Sequence, residues 1–154
     1  MPSTAYRNPN MAISLPAAIT GGIILIVYFL LTTLLGYQTV TELRFLNFVF
    51  LIPIVIYSQR SYVNNVSDKS YLECLRVSFL SVMGAYAMLA AFMVFYLFVI
   101  DRSFMIYLQE YAVPGVKLNP FGAAALILGE GTIGAVILSF VTLQFYKDRI
   151  KNMA

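Results

Sequence analysis

The sequence predicts an all-α integral membrane protein. The expected fold is an antiparallel four-helix bundle with both termini cytoplasmic and a short amphipathic outer-face helix between spans three and four. Three observations predict it. Of 154 residues, 60% are apolar and only 11% are charged, against about 45–50% and 25% in a soluble domain. The mean hydropathy is +0.82, so charge is too sparse to cover a water-facing surface, and lipid is the expected solvent. The apolar residues also gather into four runs of membrane-spanning length, separated by short polar segments.

The spans are expected at about 16–35, 40–59, 71–100 and 120–146, all within one transmembrane domain covering 1–154. Ser14 and Pro16 read as start signals for the first, and Gly36 closes it. This run is too long for a signal-peptide core and is read as an uncleaved anchor. Thr39 and Glu42 have capping-box spacing before the second span, whose apolar centre, Phe48 to Tyr57, is short. Pro53 lies inside that span as a candidate kink. Ser70 and Glu73 form another capping-box pattern before the third. Asn119 as N-cap and Pro120 at the first helical position open the fourth.

Orientation follows from the basic residues. Arg7, Arg60, Lys69, Arg76, Lys147, Arg149 and Lys151 would lie on one side; Arg44, Arg102 and Lys117 would lie on the other. The positive-inside rule then puts both termini in the cytoplasm of a multi-pass protein of the bacterial inner membrane. In the outer loop, Phe104, Tyr107, Leu108 and Tyr111 recur at helical spacing and define an apolar face, expected to rest on the outer leaflet or dock on a partner.

Small residues four apart mark where helices can approach closely in lipid. The pairs are Ala17/Gly21, Ala18/Gly22, Ser81/Ala85, Ala87/Ala91, Ala125/Gly129 and Gly131/Ala135. Gly21, Gly22, Gly129, Gly131 and Gly134 are the glycines expected to serve helix packing.

One residue stands apart. Glu130 is the only full charge between Phe121 and Phe145, and a carboxylate near the bilayer centre costs about 2.5–3.5 kcal/mol on insertion scales. Counting about 1.5 Å per residue from the span midpoints puts Glu130 about 4 Å to the outer side of the midplane. Tyr28 and Asn47 fall at nearly the same depth, and Tyr86 lies near the centre. The expectation is an intramembrane polar layer of Glu130, Tyr28, Asn47 and Tyr86, with the acid neutral or hydrogen-bonded to one of the others. Glu130 reads first as a structural acid tying helices or subunits together and second as a proton or cation carrier. One intramembrane acid, with no symmetry between halves, favours the first.

No catalytic machinery is legible. The chain has no His and one Cys, Cys74, which excludes internal disulfides and His/Cys metal sites. No nucleophile–base pair, phosphate loop or acidic metal motif stands in the sequence. An enzyme, a cofactor, a metal site and a nucleic-acid partner are therefore not expected. Cys74 reads as an inert packed or lipid-facing thiol before an acylation site.

Certain segments resemble an uncharacterised family of small four-span bacterial membrane proteins of Bacteroidetes type. They are Gly21-Gly22 followed by Ile23 to Leu31, a short second span ending in a basic loop, entry to the third span through Tyr71-Leu72-Glu73-Cys74-Leu75, and exit through Phe95-Tyr96 to Ile100-Asp101-Arg102-Ser103-Phe104. The resemblance covers most of the chain and implies the four-span topology but no activity. The expected role is a structural or accessory subunit of a larger inner-membrane complex of respiratory, secretion or envelope type. Its partners would be the lipid bilayer and other membrane subunits. The alternative is a small homodimeric proton, ion or solute transporter or channel using Glu130.

Overall fold

The computed structural model describes residues 9–37, 43, 45–66, 70–111 and 119–146, and no strand occurs among them. The elements are α1 (Pro9–Leu34), α2 (Leu46–Asn65), α3 (Tyr71–Phe95) continued by a π-helical turn (Tyr96–Ile100), α4 (Arg102–Tyr111) and α5 (Pro120–Gln144). Four helices are long and apolar enough to cross a membrane: Asn10–Leu34, Leu46–Asn65, Tyr71–Ile100 and Pro120–Gln144.

They form an up-and-down bundle. At one end the Asn10 amide donates to the Glu73 carboxylate, Gln144 Nε2 donates to Tyr71 Oη at 3.0 Å, and the Ser70 N–H donates to Tyr62 Oη at 3.2 Å. At the other end Phe29 meets Phe104 at 6.2 Å and Phe98 meets Phe121 at 5.8 Å. Helix α3 is central and packs most extensively on α1 and α5, then on α2. Its inward face (Val82, Ala85, Tyr86, Leu89, Ala90 and Met93) is almost wholly buried.

Several helix ends follow their sequence signals. Gly36 has φ +75°, and the Gly36 and Tyr37 N–H groups bond to Thr33 O at 3.0 Å and Thr32 O at 2.8 Å. This left-handed cap closes α1 where only glycine is unstrained. Asn119 Oδ1 accepts from the Gly122 N–H at 2.6 Å with Pro120 following, so α5 starts as expected.

Other boundaries differ. Helix α1 already runs from Pro9, so Pro16 lies inside it rather than at its start. Burial of Ile13 and Ser14 holds the added turns against the bundle, outweighing the hydrogen bond Pro16 cannot donate. Helix α2 runs from Leu46 to Asn65, displaced from the expected 40–59; the Thr39 and Glu42 pattern lies outside the described residues. The displacement arises because Ser58 and Gln59 are interior residues rather than surface ones. Ser70 makes no side-chain cap on α3. Glu73, its expected reciprocal partner, is taken by Asn10 and by Arg76 at 3.5 Å.

Helix α4 departs most from what its sequence pattern led one to expect. Phe104, Met105 and Leu108 are 5%, 8% and 5% exposed and belong to the main core, and Tyr107 is half-buried and stacked on Phe104 at 6.1 Å. The face expected on the outer leaflet or on a partner is thus filled by the bundle itself; the side chain of Tyr111 lies outside the described residues. Asp101 Oδ1 accepts from the Phe104 N–H at 3.0 Å and caps the helix. Phe104 closes on Phe29 of α1, and α4 packs on the π-helical turn beside it, so its apolar face finds packed neighbours within the chain.

Candidate functional site

The site is built where α5 passes closest to α3 and α2. A Cβ placed on Gly131 would stand 2.7 Å from Tyr86 Cβ, and one on Gly134 would stand 2.8 Å from Phe48 Cδ1. These two glycines bring the backbone of α5 onto the rings of Tyr86 and Phe48, whose centroids are 6.5 Å apart. Glu130 precedes Gly131 and is exposed. It stands at the edge of this seam, not within it.

Tyr28, Asn47, Tyr86 and Glu130 all line one cavity, together with Thr32, Tyr37, Leu43 and a set of apolar side chains including Phe104. The enclosed part holds about 70 Å³, room for a few water molecules. The geometry differs from direct pairing, however. Among the described residues no hydrogen bond links Glu130 to Tyr28, Asn47 or Tyr86. The Tyr28 hydroxyl donates to Leu43 O at 2.9 Å, in the segment that leads into α2. Its ring lies 4.9 Å from that of Phe50. Tyr86 is 1% exposed as a residue, yet its hydroxyl, the Asn47 amide and the Glu130 carboxylate make no hydrogen bond within the described chain. The cavity therefore presents an acid, an amide and a phenol, each with bonding capacity to spare.

The glycines divide in two. Gly21 faces Ala85 at 3.1 Å, Gly22 faces Met88 at 2.8 Å, and Gly131 and Gly134 face Tyr86 and Phe48, distances that refer to an added Cβ. Gly129 has nothing within 4 Å. It does not pack helices within this chain. Ala87 and Ala91 are likewise turned outward, as is Ala125 beside Gly129.

Sequence reasoning missed a second polar group. Ser58, Gln59, Ser78, Ser81 and Ser139 are fully buried between α2, α3 and α5. Ser58 Oγ donates to Ser81 Oγ at 2.9 Å. Gln59 Nε2 donates to Ser78 Oγ at 3.2 Å and to Ser139 O at 2.9 Å. Gln59 Oε1 and Ser139 Oγ have no hydrogen-bond partner among the described residues. The available signal was the repeated three-residue spacing of Ser78/Ser81 and Ser139/Thr142, which puts each pair on one helix face. Cys74 is fully buried beside Ile13, Tyr62, Val77 and Leu143, a packed thiol. No cluster of three His, Cys, Asp or Glu side chains suited to a metal occurs among the described residues.

The chain matches no family model, curated protein or solved structure.

Proposed function

We propose that this chain is a multi-pass, non-catalytic subunit of a larger inner-membrane assembly, joined to a neighbouring subunit through the outward face of α5. The observation that supports this most directly is the setting of Glu130. It is exposed near the middle of a spanning helix, receives no hydrogen bond from the described residues, and adjoins Gly129, over which another backbone has open room. A carboxylate in lipid needs a donor, and small residues next to a polar one are how helices associate there. Exposed Ala125 and Gly129 supply the small pair, and Glu130 supplies the hydrogen-bond acceptor.

The orientation in this reading has both termini cytoplasmic. The helix ends at Asn10, Asn65, Tyr71 and Gln144 share one end of the bundle; Arg60 and Arg76 lie in the helix turns next to those ends, and the sequence beyond them carries Arg7, Lys69, Lys147, Arg149 and Lys151. The test is purification from the native membrane in mild detergent, with identification of co-eluting chains. A stable heterologous complex is expected. Glu130→Leu should weaken it about tenfold, the effect of losing about 1.4 kcal/mol of interhelical bonding, while leaving the melting temperature of the isolated chain unchanged. Recovery of the chain alone from native membranes would remove the proposal.

The cavity itself favours a second reading. An acid, an amide and a phenol around a water-sized space are the parts of a proton or cation site. In that case a lone dimer reconstituted in liposomes conducts protons or cations, and Glu130→Gln abolishes the flux.

A further inference from the structure

Helices α2 and α5 pack less extensively on one another than either does on α3, and a groove opens between them towards the end where α5 finishes. Its walls are Ile52 and Ile56 of α2 with Leu138, Val141 and Phe145 at and beyond α5. Its volume is about 590 Å³, within the range of about 300–1,000 Å³ for small-molecule sites. Thr142, also on the wall, has its hydroxyl committed to Leu138 O. The apolar walls end in two polar groups, the Arg60 guanidinium and Tyr146.

We propose that this groove binds an anionic phospholipid, with an acyl chain along the isoleucine and valine walls and the phosphate on Arg60. Charge complementarity argues for this occupant. Arg60 is exposed and has no carboxylate partner among the described residues, whereas Arg76 at the same end is paired with Glu73. The sequence directly after Tyr146, Lys147 to Lys151, holds three basic residues and one acidic residue, a net positive composition of the kind that accompanies anionic lipid. Arg60 sits five residues before the end of α2, about 7.5 Å along the axis. That is within snorkelling reach of the phosphate level. A neutral partner helix would fill the apolar walls equally well but would leave the guanidinium unanswered.

The proposal rests on the helices spanning a bilayer. Alkaline carbonate washing of native membranes tests that point separately: retention in the pellet upholds it, and release overturns both readings. For the site, the full-length protein is purified in mild detergent and its retained phospholipids are weighed by native mass spectrometry. It is then stripped and exchanged into nanodiscs of phosphatidylcholine with or without phosphatidylglycerol. Retained phosphatidylglycerol is expected on the wild type, with Arg60→Gln holding about fivefold less. Arg76→Gln should match the wild type. Val141→Trp, which fills the groove but keeps the charge, should also lose the lipid, and Arg60→Lys should keep most of it. Equal retention by wild type, R60Q and V141W would overturn the proposal, as would equal retention of the zwitterionic and anionic lipids or a protein helix bound there in the native complex.

Discussion

Gly131→Ala is expected to lower the stability of the detergent-solubilised protein by about 1–3 kcal/mol. Gly129→Ala, two residues away, should change it by less than about 0.5 kcal/mol. The added methyl group at 131 would stand 2.7 Å from Tyr86 Cβ and closer still to the first ring carbon. Those atoms are the fixed base of a side chain that is itself buried, so relief requires α3 and α5 to separate. At 129 nothing lies within 4 Å. Unfolding titrated with a denaturing detergent and followed by circular dichroism measures both. Equal losses at the two positions would show that α5 packs with a different face. Under the subunit role proposed above the order should narrow, because Gly129 would then also be covered.

The second large effect lies at Gln59. Gln59→Ala should cost about 2–4 kcal/mol by leaving a cavity in a fully packed site and removing two interhelical hydrogen bonds. Gln59→Met should cost less than about 1 kcal/mol. Methionine restores the volume and removes an amide oxygen that has no partner among the described residues. Its loss of hydrogen bonding strands nobody: Ser78 Oγ still donates to Leu75 O at 3.0 Å, and Ser139 O remains within the ladder of α5. Thermal melts of the three proteins in one detergent decide the matter. If Gln59→Met is as damaging as Gln59→Ala, directional bonding outweighs packing in this seam.

The four apolar runs, the glycine cap at Gly36 and the Asn119-Pro120 start were legible because each depends on a few neighbouring residues. Depth counting also brought Tyr28, Asn47, Tyr86 and Glu130 to a common level, and these four line one cavity. Which polar atoms pair was not legible. Tyr28 gives its proton to Leu43 O, and Gln59 reaches a carbonyl eighty positions away. Periodicity carries no information on contacts of that kind. The same blindness made Ser58 and Gln59 look like a membrane boundary and shifted the expected α2. It also gave the face of α4 to lipid or a partner, since an apolar stripe reads alike whether it meets lipid or its own core.

The wide turn at Tyr96–Ile100 has a consequence for the chain's tolerance of length changes. The Asp101 N–H reaches back five residues to Tyr96 O at 3.0 Å, so this stretch accommodates one residue more than an ordinary turn. Deleting Val99, which is 65% exposed, would let the turn close to an ordinary one with the following residues near their present phase, whereas deleting Ala91 from the regular part of α3 would rotate all that follows by roughly 100°. Phe104 would swing off Phe29, and the stopper over the Glu130 chamber would lift. A cysteine at position 104 should then react with a water-soluble maleimide in the chain lacking Ala91 and stay protected both in the chain lacking Val99 and in the full-length one.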